Sequence, residues 1–363
     1  MAPKTNITPG HKIQQWRRLL ACGESKMKLI SFILTQWQQP QRRQQLAQRT
    51  VYFTSGEKCF KLNSDSVSDV ADLASTQEEA DTRILLHAKN ASGNYSSIII
   101  VAEDTDVFIL CLAFQRKIDC DMYIKCGSAT RIRCIDVKKV ADAIGQNVCA
   151  SLIGLHVYTG CDSVSAFSGR GKLAALKLLK ENVQFQAAFT KLGQDWTLSA
   201  ELLAYLEMFT CRLYVAQTDI AHVNEMRYQL FRIKNGNVDS SQLPPCMDSL
   251  KMHAVMANYQ AAIWQRSLTG KPSIQSPVDS NGWPLDDEGQ LIVNWTTGPI
   301  APDAVLGFLS CKCKRICQLP SCQCMVNGLK CADACRLETC DNMKDDDVND
   351  DFIDLDNSDS DDE

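Results

Sequence analysis

Acidic side chains recur at three places in this chain where their oxygens could hold a divalent cation. The first is Thr76-Gln77-Glu78-Glu79-Ala80-Asp81; the second is Glu103-Asp104-Thr105-Asp106 after the apolar run Ile98 to Val101; the third is Gly160-Cys161-Asp162, upstream of Gly169-Arg170-Gly171-Lys172. Ile98 to Val101 reads as a buried parallel strand and Val107 to Phe114 as an apolar helix. That order places Asp104 and Asp106 at the carboxyl end of a strand, where open α/β sheets build their sites. Carboxylates crowded at one strand end repel each other unless a cation neutralises them, and hard oxygen ligands suit Mg²⁺ or Mn²⁺. Each stretch also has a plainer reading: Thr76-x-x-Glu79 is a capping box, Asp104 an N-cap and Asp162 a turn residue.

The Gly169-Arg170-Gly171-Lys172 turn feeds a helix from Leu173 to Lys180, so its backbone N–H groups and the positive helix end could seat a nucleic-acid phosphate. It is not a P-loop, because Ala166 stands where that motif has its first glycine and Leu173 where it needs Ser or Thr. A plain helix–turn–helix connection with glycines at positive φ accounts for the same four residues.

Eight cysteines, Cys311, Cys313, Cys317, Cys322, Cys324, Cys331, Cys335 and Cys340, crowd one polar segment together with Lys312, Lys314, Arg315, Lys330 and Arg336. So short a segment buries too little apolar surface to fold unaided, which leaves metal ligation or disulfides to stabilise it. Met1-Ala2-Pro3-Lys4 leads into polar residues without an export signal, and no apolar run is long enough to span a membrane. A reducing compartment is the expectation, with the thiolates binding zinc. The other ten cysteines are scattered; Cys111 and Cys149 fall in apolar runs and read as small buried hydrophobes. Cys161 beside Asp162 could be read as a nucleophile with His156 as its base, but His156 lies in the apolar stretch Val148 to Val157 and reads as a core histidine.

Over residues 76 to 180 the acidic stretches resemble the flap-endonuclease and XPG-type structure-specific nucleases, a branch of the PIN-like superfamily. Gln77-Glu78-Glu79-Ala80 matches that family's Glu-Ala-Glu-Ala helix start with one acid replaced by glutamine. Ala102 to Asp106 matches its Ser-Glu-Asp-x-Asp strand end, and Gly160 to Ser163 followed by Phe167 to Gly171 matches its Gly-Ser-Asp-Tyr segment and Gly-x-Gly hairpin. The resemblance implies that Glu79, Asp104, Asp106 and Asp162 are metal-binding, catalytic acids, with Glu78 or Asp81 standing in for the acid lost at Gln77. It implies a two-metal site of Mg or Mn hydrolysing phosphodiesters, with the ions about 4 Å apart. In that family further aspartates sit on early strands. The early β-like runs here, Val51 to Thr54 and Cys59 to Leu62, carry none, and Asp65, Asp69 and Asp72 read as loop. The chain is then an N-terminally incomplete copy, or a relative with a degraded site.

The cysteine spacing resembles the tesmin-type CXC domain, a zinc-thiolate module that binds DNA in chromatin proteins. Every cysteine of that pattern is present except the eighth, where Leu337 stands. Nine thiolates would let three zincs share sulfurs; with eight, two separate four-cysteine zincs are the simplest arithmetic, and Glu338 or Asp341 could substitute as a ligand.

These sites must be positioned by an α/β fold: a PIN-like parallel sheet with flanking helices, a helical extension and a small zinc-thiolate module. Residues 1–50 read as an N-terminal helical segment with two helices over 12–38 and a basic bridge from Gln38 to Thr50. Residues 51–266 read as the nuclease-related domain, with strands near 51–54, 58–62, 97–102, 122–125 and 131–135, helices near 77–90, 106–115 and 137–156, and helix throughout from Gly171 to Arg266. Residues 267–303 form a linker in which Trp283 and Trp295 suggest packing, 304–342 the CXC module and 343–363 a disordered acidic tail. Residues 341–363 carry twelve acids against Lys344, so the formal charge of −5 conceals a body of +6. A mildly basic body suits DNA, contacted by Gly169, Arg170, Gly171, Lys172, Lys312, Lys314, Arg315 and Lys330, while the tail could compete for those bases, engage chromatin proteins or merely solubilise. The reading is a nuclear, DNA-binding protein without a membrane partner, either a metal-dependent endonuclease or a catalytically inactive chromatin or DNA-binding relative.

Overall fold

Two separate three-stranded sheets carry the strands of residues 51–136. The computed structural model describes residues 7–8, 10, 12–128, 130–233, 238–278, 281–296, 311–331, 335–337 and 340–343. The chain divides into two units, residues 1–295 and 296–363. The division falls inside the expected linker.

The first sheet is an antiparallel meander of β1 (Val51–Ser55), β2 (Lys58–Leu62) and β3 (Val67–Asp69). Leu62 seals against Leu34 and Leu46, with Trp37 alongside, so the sheet closes onto the helix α2 (Gly23–Gln38), which follows α1 (Trp16–Ala21). The basic bridge is partly ordered as the short helix α3 (Pro40–Arg43) and a 3₁₀ turn, Gln44–Leu46. Asp69 lies in a strand and Asp72 in a 3₁₀ turn, not in loop as the Ser-rich composition suggests.

The second sheet has the order β4 (Ser97–Val101), β5 (Asp121–Cys126), β6 (Arg133–Asp136), with β4 parallel to β5 and β6 antiparallel. The expected parallel sheet is therefore mixed, parallel only between β4 and β5, and the early hairpin is not part of it. Nor is β4 buried as expected: it forms the sheet's edge, and Ile99 and Val101 are 63% and 72% exposed. Only its alternate residues face the core, Ile100 at 5%.

Helix α4 (Ala80–Ser92) precedes β4, and α5 (Thr105–Phe114) crosses from β4 to β5. The single helix expected over 137–156 is two, α6 (Val137–Ile144) and α7 (Gln146–Tyr158), meeting at 99°. Gly145 makes the break at φ 89°, a backbone setting that costs glycine little. All residues from Ser151 to Gly160 are buried, as befits a helix apolar all round. Helices α8 (Lys172–Glu181), α9 (Val183–Lys191), α10 (Ala200–Tyr214), α11 (Val223–Ile233) and α12 (Met247–Gln265) complete the unit. The described residues 267–278 and 281–296 contain no helix; Trp283 packs on Tyr259 at 5.4 Å between ring centroids, whereas Trp295 is exposed.

In the second unit the described residues contain one short helix, α13 (Gln323–Val326), and a core made of cysteines rather than aliphatic side chains. Glu338 and the acidic tail from Lys344 onward lie outside the described residues.

Candidate functional site

Two helix N-termini gather the acids. Glu79 is the residue before α4 and Asp81 lies in its first turn; Asp104 is the residue before α5 and Asp106 lies in its first turn. Carboxylates are favoured at such ends by the unpaired N–H groups and the helix dipole. Asp104 does what its plain reading requires, accepting the Asp106 N–H at 2.9 Å. The capping box does not form, because α4 begins at Ala80 and so puts Glu79, not Thr76, at the N-cap, with the Glu79 carboxylate bonded to α12 instead.

Asp162 follows α7 through Gly160, whose φ of 113° and distance of 2.7 Å from an added Cβ to Ala166 Cβ admit only glycine. Asp81 lies within the field of all the others. Burial first, then the charges of Asp104, Asp106, Glu79 and Asp162, raise it from the ordinary 3.8 to about 6. The four acids expected from sequence are thus brought around a fifth. An excess of negative charge of this kind is what a bound cation relieves, so the donor set fits a divalent metal. Among the described residues, however, the three groupings with all ligand atoms within 4.8 Å of one another consist of cysteines.

Gln77 and Asp81 explain each other. Gln77 is buried and donates through Nε2 to the carbonyls of Ser267 at 3.0 Å and Thr269 at 2.5 Å. A glutamate there would face two carbonyl oxygens with no proton to give. Glu78 is exposed, so of the two candidate replacements it is Asp81 that joins the cluster.

Side chains far away in sequence hold the acids. Trp264 Nε1 donates to Glu79 Oε2 at 2.7 Å and Gln260 Nε2 to Glu79 Oε1 at 2.8 Å; Ser163 Oγ in turn donates to Gln260 Oε1 at 2.8 Å. His156 is buried, as a core histidine is, yet its Nε2 lies 2.7 Å from Asp106 Oδ1 and its ring stacks on Trp264 at 5.9 Å. It does not serve Cys161, whose Sγ lies 3.5 Å from Ser163 Oγ. Lys172 Nζ contacts His156 Nδ1 at 3.1 Å and donates to the carbonyls of His156 and Gly160. Burial lowers its pKa, opposed by the charge of Asp106.

These contacts occupy two side chains of the expected phosphate turn. Lys172 spends its ammonium inward, and the Arg170 guanidinium stacks over Tyr214 at 4.5 Å with a buried Nε. Gly169 and Gly171, on either side of Arg170, are exposed. Sequence spacing singled out the acids but not the contacts that Trp264, Gln260, His156 and Lys172 make around them, because no local pattern links positions up to 185 apart.

The second unit gathers thiols. The Sγ atoms of Cys311 and Cys317 are 3.6 Å apart, Cys324 and Cys335 3.6 Å, Cys322 and Cys331 3.8 Å, Cys331 and Cys317 3.8 Å, and Cys311 and Cys331 3.9 Å; every described cysteine is a free thiol. Four sulfurs at about 2.3 Å around a tetrahedral zinc are about 3.8 Å apart, so the cluster has the spacing of a zinc-thiolate centre. The backbone N–H of Met325 is the main influence lowering Cys322 to about 7, while burial and Cys335 raise Cys324 to about 12. Thiols this close cannot all ionise without a cation among them.

The candidate groups among the described residues overlap. One group is Cys311, Cys322, Cys324 and Cys331; another is Cys311, Cys313, Cys317 and Cys322; a third is Cys317, Cys331 and Cys340. Filling the first two together requires Cys311 and Cys322 to bridge. Cys335 accepts the Cys311 N–H at 3.3 Å beside Cys324. Lys312, Lys314, Arg315 and Lys330 are exposed around this core. Comparison with protein-family models, curated proteins and solved structures finds no match to the chain.

Proposed function

We propose that the chain is a DNA-binding protein related to the PIN-like, metal-dependent structure-specific nucleases, with the cysteine module as its main DNA contact. The observation that carries the first half is the placement of Glu79, Asp104, Asp106 and Asp162 close enough to Asp81 for the charge of each to raise its pKa. Mg²⁺ or Mn²⁺ held there would polarise a phosphodiester and favour hydroxide from water. The residues of the chain orient that site: Trp264 and Gln260 fix Glu79, and His156, braced by Lys172, fixes Asp106. The eight thiolates would bind zinc and so fold a segment whose exposed cations Lys312, Lys314 and Arg315 meet phosphates. A nuclear setting suits this partner.

A second reading keeps the DNA contact and drops cleavage. It is favoured by the acids' failure to collect three ligand atoms within 4.8 Å among the described residues.

Calorimetric titration of the full chain with Mn²⁺, alongside cleavage assays on duplex, flap and single-stranded DNA, separates the two. Saturable Mn²⁺ binding and cleavage, both lost in Asp104→Asn, support the nuclease. Salt-sensitive DNA binding without cleavage supports the inactive form. DNA binding unaffected by deletion of residues 311–340 would overturn the role of the module.

A further inference from the structure

Strand β4 is an edge strand without the protection edges usually carry. Strands that end a sheet tend to be charged, short or covered, because an exposed row of N–H and C=O groups invites pairing. The opposite edge strand, β6, begins with Arg133 and ends with Asp136. By contrast, Ile98, Ile99, Ile100 and Val101 bring no charge to β4. Ala102 N donates to Lys125 O on β5, and strand amides alternate in direction, so the N–H and C=O groups of Ile99 and Val101 point to the open side. No strand pairs with that side among the described residues.

The open side is a groove rather than a free surface. A cavity of about 900 Å³ is lined by Ile98 to Val101 together with Tyr52 and Thr54 of β1, Met27 and Ile30 of α2, and Ile84 and Ala91 of α4. Its charged side chains are few. Arg83 gives its guanidinium to the carbonyls of Gly56, Ser75 and Gln77, burial beside Arg83 lowers the pKa of His87, and Glu57 and Glu78 lie exposed at the rim. The lining beside β4 therefore mixes apolar side chains with uncharged polar ones such as Asn90 and Asn94, and Arg83 is already bonded to carbonyls.

We infer that this groove seats one β-strand of a partner polypeptide, an uncharged segment apolar at alternate positions that pairs with the open edge of β4. About five residues, roughly 17 Å, match the length of β4. Such a segment satisfies the outward backbone groups of Ile99 and Val101, continues the β4–β5 ladder and matches the uncharged lining, the strand-addition mode of peptide recognition.

The test uses the full chain and a fluorescein-labelled peptide of alternating valine and threonine, flanked by lysines for solubility. A control peptide of the same length carries proline at its centre. Saturable binding is expected for the first peptide only, read by anisotropy. Hydrogen exchange at the amides of Ile99 and Val101 should slow at least tenfold in the complex. Ile99→Asp and Val101→Lys should each weaken binding at least tenfold with an unchanged melting temperature, since both side chains are already exposed, and Ile99→Val should retain it. Equal binding of both peptides, no binding at millimolar peptide, or binding without protection of Ile99 and Val101 would overturn the inference. So would a dimer of the full chain abolished by Ile99→Asp, which would assign the edge to a second copy. Because exchange is read on the unsubstituted protein, the result stands even if a variant fails to fold.

Discussion

The indole N–H of Trp264 donates to Glu79 at 2.7 Å, joining the last turn of α12 to the residue that precedes α4. Glu79 also accepts from Gln260, one turn earlier on the same helix. A hydrogen bond to a carboxylate contributes about 1.5–3 kcal/mol, and removing one partner leaves the other short of a bond. Trp264→Phe keeps an aromatic face for His156 but deletes the donor. The variant should lose stability in that range by urea unfolding and bind Mn²⁺ more weakly by calorimetry, whereas a purely packing role for Trp264 would leave Mn²⁺ affinity unchanged.

Asp81 should make the metal-free protein less stable as pH rises. Burial and four neighbouring carboxylates raise it to about 6, so between its ordinary 3.8 and about 6 the folded protein holds a proton that the unfolded chain has released. The corresponding stability is present below the unfolded value and is lost as pH rises through the folded one. Because Asp81 is partly open to water, screening reduces the effect to about 1 kcal/mol. In chelator at pH above 7, Asp81→Asn should therefore unfold at higher temperature than the parent, with the gap closing near pH 4. Added Mg²⁺ or Mn²⁺ should reverse the order.

Zinc content should respond unequally to single cysteine changes. Cys311 belongs to two of the thiol groups and Cys313 to one. Cys311→Ser should therefore release more zinc than Cys313→Ser, measured by native mass spectrometry of the full chain. Equal losses would favour separate, unshared sites, and chelation should unfold the module without changing the unit of residues 1–295.

Lys172 and Lys312 should separate structure from DNA contact. Lys172→Met removes an ammonium bonded to His156 and Gly160 and should cost about 1.5–3 kcal/mol, with little change in the salt dependence of DNA binding. Lys312→Ala should leave stability unchanged and reduce the slope of log K against log[salt] by about one, the share of a single phosphate contact. The opposite pattern would restore the glycine turn as the DNA contact.

Much of this was legible in the residues themselves. Cysteine spacing specified a thiolate cluster because ligation at about 2.3 Å tolerates few other arrangements of so short a chain. Apolar runs bounded by polar residues identified the strands at 51–55, 58–62 and 97–101 and the helix at 105–114. The acids at 79, 104 and 106 were visible since each opens a helix, where local backbone chemistry favours carboxylates. Local signals of that kind act within one turn or one strand.

Pairing and long-range contact lie beyond their reach. An apolar run of four reads the same in a central strand as at an edge, so only the tertiary structure left β4 open and separated the early hairpin from its sheet. Whether a lysine beside two glycines faces water or a pair of carbonyls is decided by how α7 and α8 pack. The same holds for Asp81 over Glu78, and for Trp264 reaching Glu79. The sequence determined which groups could do chemistry; the packing of helices remote in the chain decided which of them meet, because burial and charge interact through space and not along the backbone.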